Sequence, residues 1–218
     1  MTKKIVCICG MAASGKSTQV DLLGERFGLK VIHTSRLFRE MQGLDLKSEG
    51  FWEKEGAKFT QKRLGNLSLD YSLDKKLVEI AQDGNVIFDS WTLPWLLKGS
   101  CLSIYLKTSQ DIRARRVSRR DDLDWQDALQ AIRKRDETDT AMYKRLYNYD
   151  ISTDVLDVFQ LIINTDNLHI QDIFKLCCNA IEIYFSKPDN IFKWAEKPIV
   201  PELYSKQIQA EQNFLIKP

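Results

Sequence analysis

The chain has 218 residues, of which 44% are hydrophobic and 28% charged, and its formal net charge is +2. These proportions suit one globular domain, alone or with an appendage, and exclude a low-complexity or disordered chain. A charge so near zero singles out no partner class, and no apolar run approaches the ~18 residues that a membrane-spanning helix needs.

The first element is Ile5–Cys9, an apolar, β-branched run that reads as a buried strand. Thr2–Cys9 is too short for a secretory signal, and the chain turns polar after Ala13, so a cytoplasmic location is the default expectation. The segment Gly10–Ser17, "GMAASGKS", follows at once. It matches G-x-x-x-x-G-K-[ST], in which glycines let the backbone curl so that successive N–H groups point at phosphate oxygens. Gly10, Met11, Ala12, Ala13, Ser14, Gly15, Lys16, Ser17 and Thr18 are therefore expected to hold a nucleoside triphosphate, Lys16 reaching its β- and γ-phosphates and Ser17 holding Mg²⁺.

Lys16–Phe27 has helical spacing and stops at Gly28. Leu29–Ile32 reads as a second strand, and Ser35 as the cap of a helix over Arg36–Gln42. Residues 43–69 are polar and weakly patterned; helices are expected there without definite ends. Ser72–Gln82 is a clearer helix, stopped by Asp83–Gly84. Asn85–Asp89, "NVIFD", is a third strand whose terminal Asp89 suits the acidic partner that such proteins use to orient the metal shell, a turn-forming Asp being the alternative.

Leu102–Leu106 is the fourth strand, Val158–Asn164 the fifth, and Ile170–Phe185 the closing helix. Between the fourth and fifth lie two basic helices, Gln110–Arg120 and Trp125–Asp136, the second capped by Asp124. The block Asp111–Arg145 holds ten Lys/Arg against eight Asp/Glu, so it is a mixed, salt-bridged region and no polybasic tail. Arg113, Arg116 and Arg120 share one helical face, and guanidinium forks suit a phosphoryl group in transfer. Cys7, Cys9, Cys101, Cys177 and Cys178 form no C-x-x-C pair and read as reduced core thiols. Residues Lys187–Pro218 hold four of the five prolines and read as an appendage to a domain spanning 1–186. Strands alternating with helices predict an α/β fold with a mostly parallel sheet.

Taken together, these pieces resemble the P-loop nucleoside monophosphate kinases, and most of all the archaeal-type cytidylate kinases, over roughly Lys3–Ile170. The resemblance rests on "GMAASGKS", on "LFRE" at Leu37–Glu40, and on "LDYSLDKKL" at Leu69–Leu77. Its specific part is the lid sequence "RARRVSRRDDLDWQDALQAIRKRDETD" leading to "YKRLYNYDI" and later "LIINTD". It implies a P-loop NTPase three-layer fold with a five-stranded parallel sheet, a helical lid over about 113–139 and acceptor-binding helices. It also implies ATP with Mg²⁺ as donor, a nucleoside monophosphate as acceptor, and no general base, because the acceptor is already an anionic oxygen.

By the same resemblance Arg39 reaches the acceptor phosphate, Arg116, Arg120 and Arg135 contact the transferring phosphate, and Asp70 lies on the acceptor side or else caps its helix. Three departures fall near the acceptor. The family's acid-Gly-Arg after the third strand is here Asp89-Ser90-Trp91, an arginine before a tyrosine is here Met142, and a Gly-acid pair is here Ser35-Arg36. Arg36 is a candidate to replace the lost charge; Trp91 and Trp95 either line an acceptor pocket or pack in the core. His33 is read as structural. An acceptor other than CMP or dCMP (a nucleoside, coenzyme precursor or sugar, with Asp89 as base) and a nucleotide-binding, RNA-associated protein are the alternatives; a membrane partner is not expected.

Overall fold

In the computed structural model, residues 4–43, 68–97, 101–147, 150 and 158–186 are described. The strands are β1 (Ile5–Cys9), β2 (Lys30–His33), β3 (Val86–Asp89), β4 (Leu102–Lys107) and β5 (Leu161–Asn164). The helices are α1 (Lys16–Phe27), α2 (Thr34–Met41), α3 (Ser68–Asp83), α4 (Leu93–Leu97), α5 (Gln110–Asp121), α6 (Trp125–Tyr147) and α7 (Ile170–Phe185). All pairings are parallel, and the strand order is β2-β3-β1-β4-β5. The expected α/β, five-stranded parallel fold is the one observed.

Period-two alternation divides the core. Ile5, Cys7, Val86, Phe88 and Tyr105 pack with α3 and α4 on one face of the sheet. Val6, Ile8, Ile87, Ile104 and Leu106 pack with α1 and α7 on the other. A sheet covered on both faces is why the strands read as continuous apolar runs. Burial pushes the Cys7 and Cys9 thiols well above their ordinary range and Cys177 up to about 12, and all five cysteines are free. Cys7, Cys9, Cys101 and Cys177 are core thiols, as expected, and Cys178 is half-buried at the core's margin.

Strand order positions the site. From β1 the chain moves outward to β2, and after β3 it crosses to β4 on the opposite side, so β1 lies between β3 and β4. Such a reversal opens a crevice beyond the carboxyl ends of the central strands. The Gly10–Ser17 loop leaves β1 there, and the register sets Asp89 beside Ile8.

Several ends differ from expectation. Leu29 completes the α1 cap by donating its N–H to Gly24 O, so β2 begins one residue later and runs through His33. The strand then enters α2 without a turn. His33, and not Ser35, is the N-cap residue, and no side chain caps the helix. β5 starts at Leu161 because Val158 and Gln160 are held by Ser103 across the edge. α6 runs on past Asp136, the expected last residue, to Tyr147, and the Asp136 side chain is held by Arg113 and Gln110. Pro94 is the second residue of the short α4, in the first turn, where a missing N–H costs nothing. The expected helices over 44–67 and the appendage 187–218 lie outside the described residues. No helix among the described residues is long and apolar enough to cross a membrane.

Gly24 marks a close approach of α1 to the sheet: a Cβ there would lie 2.2 Å from Val31 Cγ2. Gly24→Ala is expected to lower the unfolding free energy by about 1–3 kcal/mol in urea denaturation, despite alanine's better helix propensity. A gain in stability would show that α1 can slide outward freely.

Candidate active site

The loop after β1 is shaped by positive φ angles at Gly10 (145°), Ala13 (60°) and Gly15 (97°). At Gly10 no side chain fits, since a Cβ would lie 2.6 Å from Leu106 O and 2.7 Å from Ser14 Oγ. Gly15 is the N-cap of α1 and offers no side-chain acceptor, so the first N–H groups of that helix remain for an anion. Ser14 Oγ is buried with no hydrogen-bond partner among the described residues. A curled backbone, an uncapped helix start and an orphaned buried hydroxyl together fit a polyphosphate.

Lys16 is buried; its Nζ donates to Met11 O at 3.1 Å and lies 5.2 Å from the centre of the Trp91 ring. Burial pushes the Lys16 pKa down, opposed chiefly by Asp89. Ser17 and Thr18 are exposed at the start of α1, and Ser17 Oγ donates to Asp89 Oδ2 at 2.6 Å. For Asp89, burial alone would raise the pKa; Lys16, His33 and Ser17 outweigh it and hold the carboxyl below its ordinary range. His33 bridges outward, with Nδ1 3.7 Å from Asp89 Oδ2 and Nε2 2.9 Å from Asp21 Oδ1. Asp89 beside it, against the effect of burial and with help from Asp21, raises its pKa. Among the described residues no group of three His, Cys, Asp or Glu forms a cage. A hydroxyl beside an ionised carboxylate at a phosphate loop instead suits Mg²⁺, which keeps its waters and takes few protein ligands.

The basic helices fold over this loop, and the four arginines differ in role. Arg113 is 2% exposed and forms a two-bond pair with Asp136 at 2.9 and 2.6 Å. Its remaining donors go to Thr108 O at the end of β4 and to Ala12 O in the loop. It is thus a structural tie between sheet, loop and α6. Arg116 donates to Ser14 O at 2.9 Å and to Ala13 O at 3.4 Å. Arg120 pairs with Asp121, and Arg135 with Asp139 at 3.4 Å.

Arg120 and Arg135 line a cavity of about 230 Å³ whose floor includes Ala12, Ala13, Lys16 and Ser17. Asp70, in the first turn of α3 and buried, lines it as well, as does Trp91. Because α3 starts at Ser68, Asp70 sits inside the helix and does not cap it. Trp95 packs instead against Phe159 in the core, ring centres 5.3 Å apart. Arg36 is exposed on α2, and Arg39 donates to Ser35 O one turn back; neither lines the cavity, although Ser35 and Phe38 of that helix do.

Sequence reasoning missed much of the far wall. Asp139, Tyr143 and Tyr147 follow the expected Arg135 at four-residue intervals down one side of α6, and all four line the cavity. Tyr143 stacks between Trp91 and Tyr147, with ring centres 5.7 and 5.9 Å apart. Asp74 on α3 and Thr92 before α4 complete this wall. Thr34 also lines it, its Oγ1 buried with no hydrogen-bond partner among the described residues. The four-residue spacing on α6 and the Asp70/Asp74 repeat on α3 were the available signals.

The model of the cytidylate kinase-like family matches residues 5–167. The cytidylate kinase of Sulfurisphaera tokodaii is 34% identical over 187 residues, covering 84% of this chain and 95% of that protein. That of Pyrobaculum islandicum is 33% identical over 181 residues, covering 81% and 92%. Among solved structures, shikimate kinase from Acinetobacter baumannii, in complex with shikimate, superimposes with a TM-score of 0.56 at 16% identity, covering 85% of this chain and 97% of that one. At that identity the likeness concerns the fold.

Two expected outcomes follow from this geometry. Arg113→Met leaves the Asp136 carboxylate buried without its cation, with only the Gln110 amide still donating to it, and is expected to cost about 3–5 kcal/mol of unfolding free energy in urea titrations; a loss below about 1 kcal/mol would refute the tie. His33 has a folded pKa raised above its unfolded value of about 6.5. Its stabilising contribution is therefore complete below about pH 6.5 and is lost as pH rises through the folded value. Unfolding titrations across that range should show wild type losing stability relative to His33→Gln.

Proposed function

The chain belongs to the cytidylate kinase-like family, and we propose that it moves the γ-phosphoryl group of ATP to CMP or dCMP, giving ADP and the nucleoside diphosphate. The observation that carries this reading is one cavity with a phosphate loop and Lys16 as its floor, Arg120 and Arg135 over it, and carboxylates with stacked aromatic rings as its far wall.

Each group has work to do. Backbone N–H groups of Gly10–Ser17, with the start of α1, hold the donor phosphates, and Lys16 neutralises charge on the β- and γ-oxygens. Ser17 and Asp89 would hold Mg²⁺, which supplies charge neutralisation across the same oxygens. Arg116, Arg120 and Arg135 offset charge on the group in flight. Their helices, the lid over about 113–139, close to exclude water as a competing acceptor. The acceptor takes the other side: Asp70 and Trp91 line it, and Arg39 and Arg36, carried by the helix that supplies cavity-lining Ser35 and Phe38, would have to turn inward to meet its phosphate. No base is needed, because the attacking phosphate oxygen is already anionic.

The alternative, a hydroxyl acceptor deprotonated by Asp89, fits less well. Asp89 accepts from Ser17 and is held below its ordinary range, which makes it a poor base and a good metal partner. An RNA-binding role is disfavoured because Arg113, Arg120 and Arg135 are engaged by carboxylates and Arg116 by the loop's carbonyls. On this reading residues 1–186 form the kinase domain, 187–218 an appendage, and the enzyme works in the cytoplasm.

The test is ADP formation from ATP and Mg²⁺ over CMP, dCMP, UMP, AMP, GMP, dTMP, nucleosides and sugars. Selective turnover of CMP or dCMP is expected. Turnover only with an unphosphorylated acceptor would overturn the reading. Lys16→Ala should lower kcat by about 10²–10³-fold, as loss of a donor to transition-state charge does; undiminished turnover would mean that the loop serves something else.

A further inference from the structure

The base end of the acceptor cavity contains a buried carboxylate with an unusual effect on its neighbours. Asp74 is 2% exposed and lines the cavity one helical turn beyond Asp70. Thr92 Oγ1 donates to its Oδ1 at 3.1 Å, and Tyr147 OH donates to its Oδ2. Those two hydroxyls come from different elements, the segment after β3 and the end of α6, and both residues line the same cavity.

A hydroxyl has one hydrogen. Once Thr92 and Tyr147 have each given theirs to Asp74, only lone pairs remain for a ligand. Asp74 itself presents lone pairs alone. Three groups that would otherwise be ambivalent thus become a wall of acceptors.

The ring ladder says which part of a nucleotide meets this wall. Lys16 lies against Trp91, Trp91 against Tyr143, and Tyr143 against Tyr147, whose hydroxyl reaches Asp74. The three rings cover one another's faces, so the ladder sets the direction of the cavity: a nucleotide with its phosphate near Lys16 points its base past the ring edges toward Asp74.

We propose that Asp74, acting with the Thr92 and Tyr147 hydroxyls that it orients, selects cytosine over uracil. Cytosine carries an amino donor at position 4, whereas uracil, like thymine, carries a keto acceptor there. Where this wall meets position 4, it accepts from the amino group of cytosine and faces a keto oxygen in uracil with no proton between them; uracil's own edge donor, N3–H, lies one position away. Polar sites built for one pattern reject the reverse pattern strongly, because buried groups on both sides lose their partners. This inference rests on the CMP kinase reading above.

The experiment is kcat/KM for CMP and UMP, with ATP saturating, in wild type and in Asp74→Asn. Asparagine supplies an amide donor and frees the hydroxyls to turn. Wild type should prefer CMP, and the variant's CMP:UMP ratio should fall by at least about tenfold, with KM for ATP unchanged within about twofold. Equal losses on both substrates, ratio intact, would make Asp74 a merely structural residue and overturn the proposal. If circular dichroism shows Asp74→Asn unfolded, Tyr147→Phe and Thr92→Val decide. Each removes one hydroxyl and should lower the ratio by about threefold or more; unchanged ratios in both overturn the proposal. Wild type that uses CMP and UMP equally well also overturns it while leaving the kinase reading intact. Wild type that uses neither, yet turns over another acceptor, overturns both.

Discussion

One buried guanidinium sets the relation between the two halves of this site. Arg113 reaches a β4-end carbonyl, a loop carbonyl and the Asp136 carboxylate on α6. With Arg116, which donates to Ala13 O and Ser14 O, it fixes the basic helices over the phosphate loop. Taking an arginine out of water is costly unless nearly every donor is met, and here the partners come from three separate segments. An isolated α5–α6 pair would lack two of the three. The placement of α5 and α6 therefore exists only in the finished fold, and Arg113 is spent on architecture while Arg116 faces the loop and Arg120 and Arg135 the cavity.

The same logic orders the charges around the cavity. Lysine in a buried site tends to lose its proton, yet Lys16 has Asp89 beside it and Trp91 beneath its ammonium group. Asp89 in turn is held ionised by Lys16, Ser17 and His33. Arg135 and Asp139 balance one another over the same space. Positive groups gather at the phosphate end, and hydroxyls, carboxylate and rings gather at the other. A polar, elongated molecule with an anionic end and an aromatic end matches that division.

The fold was largely legible in the sequence because its signals are local. Five apolar runs and one glycine-rich loop are each contained within ten residues or fewer, and continuous burial on both faces of a parallel sheet leaves few other readings. The P-loop residues and Asp89 were legible for the same reason: their positions follow from a strand end. What was not legible depended on pairings distant in sequence. Arg113 shares its residue type, spacing and neighbours with Arg116, and only Asp136, 23 positions away, separates their roles. The wall of Asp74, Thr92, Tyr143 and Tyr147 draws on three elements whose meeting no local pattern announces. Ser35 failed as a cap because β2 passes straight into α2, a matter of chain direction that residue preference does not encode.

α6 has a mechanical consequence. It is a continuous rod of 23 residues, and Asp136, where Arg113 grips it, is the middle one. Each arm is about 16 Å long at the helical rise. Its first half lies along α5 through Ala128 and Ile132, and its second half carries buried Met142 and the stacked Tyr143 and Tyr147. Because no break interrupts the rod, the flank against α5 and the tyrosine that touches Asp74 belong to one stiff piece.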